Sequence, residues 1–415
     1  MKILLIHQYF LEKNDGGGSR FNEMVKYWSE KGHEVTVLSG MVHYSTGKKP
    51  SKYKGKYYYR DLDFYPNVDV IRCHVSESYN TNFLGRLWAY FSFVFSGIWG
   101  GLFKTRKDYD VILVTSPPLF VGIIAYTLSV LKRKPFVFEI RDLWPESAID
   151  TGVLTNKWII KFAYWFENFI YKRAKKINVL TPAFRKTLIE KKKVPENKVS
   201  FIPNAADFSL AEKVSQSFDV DEFRRSQDLT NKFVITYVGA HGVANHLIQL
   251  VDVAEQLKDT NLVFQLIGAG MKKQELKDEV LNRELSSQFI FRDSVPKSVV
   301  FKYILASDMG ASILKKVDTF KTIYSNKTFD YMSCKRPVFL LIDGVSRELI
   351  ETADCGVYLE PENTNEIVAG IKNLLLKDKN WFNQKGENGY YYAKKHFDRQ
   401  VLANKYLDLL SEVSM

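Results

Sequence analysis

Lys2-Ile3-Leu4-Leu5-Ile6-His7-Gln8-Tyr9-Phe10, running into Gly16-Gly17-Gly18-Ser19-Arg20, has a counterpart in Lys232-Phe233-Val234-Ile235-Thr236-Tyr237-Val238-Gly239, running into Ala240-His241-Gly242. Each stretch reads as a buried strand, a glycine-bearing turn and the start of a helix. Glycines at such turns let backbone N–H groups approach phosphate oxygens without interference from a Cβ. Two openings half a chain apart predict an α/β protein of two Rossmann-like, doubly wound parallel-sheet domains facing a central cleft, a favoured place for a ligand.

Working outward, apolar and β-branched runs recur at 33–40, 68–75, 109–117, 134–142, 176–182 and 198–205, and again at 261–268, 289–295, 309–315, 337–343 and 355–360. Helix-length segments separate most of them, which is the rhythm of a parallel sheet covered on both faces. The first domain is therefore expected over 1–205 and the second over 232–390, with the polar stretch 206–231 as linker. Residues 391–415 read as a terminal helix with Val401, Leu402, Tyr406, Leu409 and Leu410 as its apolar stripe.

The chain has 415 residues, 46% of them hydrophobic, ample for two cores. Cys73, Cys334 and Cys355 lie far apart and form neither a disulfide framework nor a zinc-ligand spacing, as expected in a reducing compartment. Met1-Lys2 runs straight into the first strand with no export leader, so a cytoplasmic location is expected. Net charge is +12, and its distribution is uneven: residues 1–205 carry 32 Lys+Arg against 18 Asp+Glu, whereas the remainder carries 27 against 29. A basic first half attracts nucleic acid, an anionic membrane surface or a phosphorylated substrate, and a solvated lysine-rich surface is the plain alternative.

Leu87 to Phe103 is an uncharged run of 17 residues, at the low edge of the about 17–25 needed to cross a bilayer. It lies between two strands of one sheet, so a crossing would place those strands on opposite sides of the membrane. It reads as a crossover helix packed on the sheet, or as such a helix that also dips an aromatic face into a membrane. For the second case the contact residues are Phe91, Phe95 and Trp99, with Lys104, Arg106 and Lys107 meeting anionic headgroups.

The densest candidate site is Lys315-Lys316 followed by Tyr324-Ser325-Asn326-Lys327-Thr328-Phe329-Asp330-Tyr331-Met332. Lys315 ends a strand run, and Lys327 to Met332 begins a helix, where partial positive charge favours an anion. Lys315 and Lys327 are positioned to neutralise a diphosphate, and Asp330 to accept hydrogen bonds from a ribose diol. Taken singly, each of these is an ordinary surface residue.

This grouping, continued by Ser333-Cys334-Lys335-Arg336-Pro337-Val338, resembles the donor-site helix of retaining glycosyltransferases of family 4, which have the GT-B fold. Gly16-Gly17-Gly18-Ser19-Arg20 with Gly32-His33-Glu34-Val35 is similar to the family's first glycine loop and second strand. Thr115-Ser116-Pro117-Pro118-Leu119 and Arg141-Asp142-Leu143-Trp144-Pro145-Glu146-Ser147 resemble the branch that builds bacterial O-antigen and capsule units, of N-acetylfucosamine-transferase type. Ile202-Pro203-Asn204-Ala205-Ala206-Asp207 resembles the end of the first domain.

The resemblance implies transfer of a sugar, an N-acetylhexosamine by preference, from a UDP-sugar to a polyprenyl diphosphate-linked saccharide. It implies retained configuration, no cofactor, no metal and no nucleic-acid partner, with the enzyme peripheral at the inner face of the cytoplasmic membrane. The last helix is expected to cross back onto the first domain. Donor contacts are expected from Gly17, Gly18, Asn204, Gly239, His241, Gly242, Val295, Ser325 and Asp330, and acceptor contacts from Arg20, His43, Arg141 and Trp144.

The chain departs from the family pattern in three places. The glutamate pair spaced E-x7-E appears as Thr322 and Asp330. The usual arginine and lysine after the second domain's first strand are replaced across Gly239–His246. A first-domain histidine is replaced by the Arg141-Asp142 segment. Breaking the anomeric C–O bond leaves negative charge on the diphosphate, so Lys315 and Lys327 are the expected counter-charges and catalytic groups. Asp142 is the candidate to contact the sugar or take the acceptor proton, with an N-cap or an Arg141 ion pair as its structural alternatives. Asp61-Leu62-Asp63 and Asp219-Val220-Asp221 match metal-binding triplets but read as loop charges. A UDP-sugar epimerase of the same fold and a catalytically inactive sugar-nucleotide or lipid-binding homologue are the alternatives.

Overall fold

The computed structural model describes residues 1–13, 20–43, 47–62, 64–80, 83–150 and 154–415. They form two compact units: Met1–Pro203 with Gln400–Met415, and Asn204–Arg399.

The described residues of the first unit form an eight-stranded sheet. Its strands are β1 (Lys2–Ile6), β2 (Glu34–Gly40), β3 (Tyr58–Asp61), β4 (Val68–Cys73), β5 (Val111–Ser116), β6 (Phe136–Ile140), β7 (Lys176–Val179) and β8 (Val199–Phe201). Their order is β3-β4-β2-β1-β5-β6-β7-β8. Pairing is parallel, with Ile3 opposite both Val35 and Val111, except that β3 runs antiparallel to β4 on the edge. The edge strand Tyr58-Tyr59-Arg60-Asp61 is absent from the expected runs because it is half-buried and polar, without the continuous apolar signature of its neighbours.

The steps β4 to β5, β5 to β6 and β6 to β7 all go one way across the sheet, and β1 to β2 goes the other. Right-handed crossovers then put the helices Phe83–Phe103, Val121–Lys132 and Lys157–Arg173 on one face and Arg20–Glu30 on the opposite face. The last helix, Arg399–Ser414, covers that second face: Trp28 Nε1–H donates to the Ala403 carbonyl at 3.0 Å, and the Trp28 and Tyr406 rings meet at 5.8 Å. Val401, expected on its apolar stripe, is exposed, while Leu402, Tyr406, Leu409 and Leu410 are buried.

Beneath these helices lies a buried charge. Glu139, next to last in β6, is fully inaccessible. Arg20 donates Nε and a terminal nitrogen to its two oxygens at 3.2 and 3.1 Å, Asn178 Nδ2 donates at 3.0 Å and the Tyr406 hydroxyl at 2.9 Å. Arg20 also donates to the carbonyls of Ile202 and Pro203. Arg20, expected as an acceptor contact, thus donates to Glu139 and to two carbonyls inside the unit.

The second unit holds a six-stranded parallel sheet: β9 (Phe233–Val238), β10 (Leu262–Ile267), β11 (Phe289–Arg292), β12 (Met309–Ile313), β13 (Val338–Leu341) and β14 (Gly356–Tyr358), in the order β11-β10-β9-β12-β13-β14. The 206–231 stretch is part of this unit and not a linker. It forms the helices Phe208–Gln216 and Val220–Ser226, capped by Asp207 and Asp219, whose carboxylates accept the N–H groups of Leu210 and Glu222. Phe208 and Ala211 enter the core with Phe301 and Phe329. At the other end the unit extends to Arg399 instead of 390, because Lys379–Phe397 is one continuous helix and the Ala206 N–H bonds the Phe397 carbonyl at 2.9 Å. Among the described residues no helix is long and apolar enough to cross a membrane.

Arg20→Met leaves the Glu139 charge without its cation. It is expected to destabilise the first unit by about 3–5 kcal/mol, and the double variant Arg20→Met/Glu139→Leu by much less, since removing both charges avoids the unpaired one. Urea unfolding followed by circular dichroism reads both; a single variant within 1 kcal/mol of wild type, on the order of measurement error, refutes the assignment.

Candidate functional site

The second unit's strand order reverses between β9 and β12: β10 lies to one side of β9, and the chain resumes on the other. Ligands of open α/β sheets bind beyond the carboxyl ends of strands at such a switch point. The two loops there are tied together, the Lys315 N–H donating to the Ala244 carbonyl at 2.8 Å. Close approach is also built in behind β9. Gly239 has φ +145°, and a Cβ on Gly268 would lie 1.9 Å from the Gly239 carbonyl oxygen.

The helix Asn326–Ser333 is mounted on this edge by Tyr331. Its hydroxyl accepts the Val238 N–H at 3.1 Å and donates to the Ala311 carbonyl at 2.9 Å, joining the end of β9 to the middle of β12, and its ring fills the space over Gly310. Ser312 and Thr328 hydroxyls meet at 2.7 Å. The helix's second residue, Lys327, consequently folds back over β9. Its ammonium sits 4.8 Å from the centre of the Tyr237 ring and 3.5 Å from the Ser325 hydroxyl, with no carboxylate within ion-pair distance among the described residues. Burial pushes this group down to about 8. The stem remains partly accessible. Lys315, at the end of the neighbouring strand, is exposed and likewise has no ion pair among the described residues, whereas Lys316 is held by Glu360 at 2.7 Å.

The remaining donor candidates separate. Ser325 is buried just before the helix, and Asn204 Nδ2 donates to Asn326 Oδ1 at 2.5 Å. Gly242 begins a short turn in an ordinary extended conformation. Asp330 is ion-paired to Lys297 at 2.9 Å, so a ribose diol would share its carboxylate with that ammonium. Val295 packs on the apolar cluster under the helix. His241 is wholly buried, both ring nitrogens lack a partner, and burial, aided by Lys273 and Lys277, pushes it down to about 4. It is a neutral imidazole at neutral pH. Thr322, where the family places its first glutamate, donates its hydroxyl to the Thr319 carbonyl at 2.6 Å. Gly17 and Gly18 lie outside the described residues.

In the first unit the carboxyl ends of β1, β5 and β6 bring together His7, Thr115, Arg141 and Asp142. The Arg141 N–H bonds the Ser116 carbonyl at 3.0 Å, and its guanidinium, mostly buried, is held below its ordinary value by desolvation. Asp142 is raised by burial, against hydrogen bonds from the Ser147 side chain and the Leu143 N–H. These bonds match the capping alternative more closely than an Arg141 ion pair. The loop is anchored below: Lys192 binds Glu146 at 2.7 Å and Glu167 at 2.6 Å. Trp144 is half-buried with its ring edge-on to Phe120, and His43 is half-buried, its N–H on the Lys48 carbonyl.

His7, which the sequence reading did not single out, belongs to this group. It is buried, its Nδ1 has no partner, and desolvation followed by Arg141 and Arg72 keeps it neutral. Its signal was available: a histidine directly after the first strand. Of the two metal-like triplets, Asp219 is the helix cap described above and Asp61 lies on edge strand β3, while Asp63 is outside the described residues. Among the described residues no group of three His, Cys, Asp or Glu side chains is arranged to hold a metal.

Residues 15–205 match the glycosyl transferase 4-like domain and residues 219–396 match glycosyl transferases group 1. WcaI of Escherichia coli (strain K12), named for a glycosyl transferase of colanic acid biosynthesis, is 24% identical over 420 residues, covering 98% of this chain and 99% of its own. Among solved structures, Anabaena HepE in complex with UDP superposes with a TM-score of 0.71 at 16% identity, covering 99% of this chain and 100% of its own. Sucrose-phosphate synthase from Thermosynechococcus elongatus gives 0.74 at 14% identity, covering 99% and 98% respectively.

Between about pH 8 and 10.5 the unfolded chain binds a proton at Lys327 that the folded chain releases, so this group makes stability rise with pH across that window. Lys327→Met should flatten the rise in urea midpoint over those pH values. Parallel curves for the two proteins would show that the ammonium is not enclosed.

Proposed function

Because this chain is a glycosyltransferase of the GT-B fold, carrying one glycosyl transferase 4-like domain and one glycosyl transferases group 1 domain, we propose that it moves a sugar from a UDP-sugar onto a polyprenyl diphosphate-linked saccharide. The donor sugar is read as an N-acetylhexosamine and the configuration as retained. We assign the work to a surface polysaccharide of O-antigen or capsule type, at the inner face of the cytoplasmic membrane. The similarity to WcaI and to UDP-bound HepE supports the polysaccharide and the nucleotide parts of this reading.

The observation that carries it is the unpaired Lys327 ammonium, enclosed at the end of β9 beside Gly239. A buried cation without a carboxylate is costly unless an anion completes it, and a diphosphate is an anion of the right kind. In the reaction the anomeric C–O bond breaks with its electron pair passing to the UDP β-phosphate. Lys327 and Lys315 oppose that charge as it grows, which lowers the barrier more than it tightens ground-state binding. The acceptor hydroxyl oxygen forms the new bond to the anomeric carbon and gives up its proton. In this reading Asp142 accepts that proton or orients the hydroxyl, and no cofactor or metal takes part in the scheme. Arg141 supplies positive charge for the acceptor's diphosphate. The threonine at 322 keeps the catalytically inactive homologue as the second reading.

The test is mass spectrometry of products formed from a panel of UDP- and GDP-sugars with membrane-extracted polyprenyl diphosphate sugars. A hexosamine mass increment with UDP-sugars only supports the assignment, and UDP binding without transfer to any acceptor selects the inactive reading. Lys327→Met should weaken UDP binding by about 10- to 100-fold in calorimetry, the worth of a charge-assisted hydrogen bond; unchanged affinity removes the lysine from the donor site. Asp142→Asn should lower turnover by about 100-fold or more with UDP affinity kept. Since burial raises this carboxyl, wild-type activity should fall as pH drops through a value above the ordinary carboxylate range, and that limb should vanish in the variant.

A further inference from the structure

We propose that the outer face of the helices Phe83–Phe103, Val121–Lys132 and Lys157–Arg173 is one docking surface for a bilayer containing anionic phospholipid. The inference deepens the membrane-side reading above by naming the seat and its partner. It rests on that reading for its purpose but not for its test.

The three helices form a single layer on one face of the first unit's sheet. Neighbours interlock closely: Gly97 and Gly101 leave room for Ile124 and Leu128, and Gly122 for Ile170. Along the layer runs a ladder of aromatic rings. Phe91 meets Phe120 at 4.9 Å, Phe120 stacks on Phe166 at 5.8 Å, and Phe162 and Trp165 continue outward from it at ring distances of 6.3 and 5.6 Å. At both flanks the aromatics emerge into solvent. Phe95 and Trp99 are 64% and 57% exposed on the first helix, and Trp158 and Trp165 are 78% and 59% exposed on the third. Val130 and Leu131 are exposed on the middle helix. Single exposed apolar residues need no explanation, but a run of large ones across three packed helices does.

Charge selects the occupant. Within the described residues of these helices Glu167 is the carboxylate, and it is buried under Lys192 and Tyr171. Lys157, Lys161 and Lys172 are exposed and have no ion pair among the described residues, and Lys104 and Lys107 extend the first helix's end. Tryptophan and lysine interspersed on helices that expose no carboxylate of their own among the described residues, with Asp108 and Asp150 just beyond their ends, suit the headgroup layer, where indole rings lie at the interface and lysine stems reach up to phosphates. The expectations for the first helix are thereby refined: Phe95 and Trp99 are exposed, Phe91 is half-buried against Phe120, and Arg106 is engaged with Glu34. The third helix had carried no such expectation.

The test uses the full chain and vesicles of phosphatidylcholine with or without phosphatidylglycerol, with no UDP-sugar or acceptor present. Wild type should co-sediment with the anionic vesicles, release at high salt and shift its tryptophan emission to the blue on binding. Trp158→Glu/Trp165→Glu and Trp99→Glu should each reduce partitioning by about tenfold or more, and Lys157→Glu/Lys161→Glu by about fivefold per lysine. Leu376→Glu, exposed in the other unit, serves as control and should not change it. Failure of wild type to bind, or binding untouched by the third-helix variants, overturns the proposal. Self-association lost in the same variants without vesicle binding would assign the face to a second copy and also overturns it. UDP-sugar transfer in detergent is read separately, so an inactive enzyme that docks and an active one that does not are told apart.

Discussion

A carboxylate with no access to water governs how the first unit closes. Glu139 is made in the central strand β6, and burying its charge alone would cost several kcal/mol, about as much as a domain's whole margin of stability can absorb. Three donors from different parts of the chain compensate it: Arg20 from the helix after the glycine run, Asn178 from β7 and Tyr406 from the last helix; Arg20 also donates to the Ile202 and Pro203 carbonyls where the chain leaves the unit. The first unit is thus complete only once residues 400–415 have returned to it. The path out at 203 and back at 400 is fastened at one point.

The second unit solves a different problem by a similar economy of parts. Placing a cation over the end of β9 requires a helix start at that spot, and Tyr331 fixes it with two backbone hydrogen bonds and a ring that only glycine at 310 can accommodate. Lys327 is then carried into position by the mount, four residues earlier on the same helix. Its lowered proton affinity follows from enclosure alone, without a charged neighbour.

These features differ in how plainly the sequence announced them. Buried parallel strands such as Val111–Ser116 and Phe136–Ile140 are continuous apolar runs and were readable directly. Strand β3, half-exposed and polar, gave no such run. The 206–231 stretch looked like a linker because charge dominated its composition, although Asp207 and Asp219 stood in cap positions that mark helix starts. Arg20 next to a glycine loop read as a ligand contact because nothing local shows that Glu139, 119 residues later, lies beneath it. The positions of Lys327 at a helix start and of Asp142 just past a strand were legible, whereas the exposure of Trp158 and Trp165 depends on which side of a helix the sheet covers. That is a tertiary fact.

Buried polar atoms without a protein partner are uncommon, since each costs about 1–3 kcal/mol. Here His7 Nδ1, Gln8 Oε1, Thr115 Oγ1 and Arg141 Nε all fall at or just past the carboxyl ends of β1, β5 and β6, and His241 follows β9. A fold selected for stability alone would fill such positions with apolar side chains, as it does a few residues earlier in each strand, where Leu5, Leu113, Phe138 and Tyr237 are fully buried. At the ends of these four strands polar atoms are left without a partner among the described residues, as are Asn178 Oδ1 within β7 and Arg72 Nε within β4. Open α/β sheets bind their ligands beyond such strand ends.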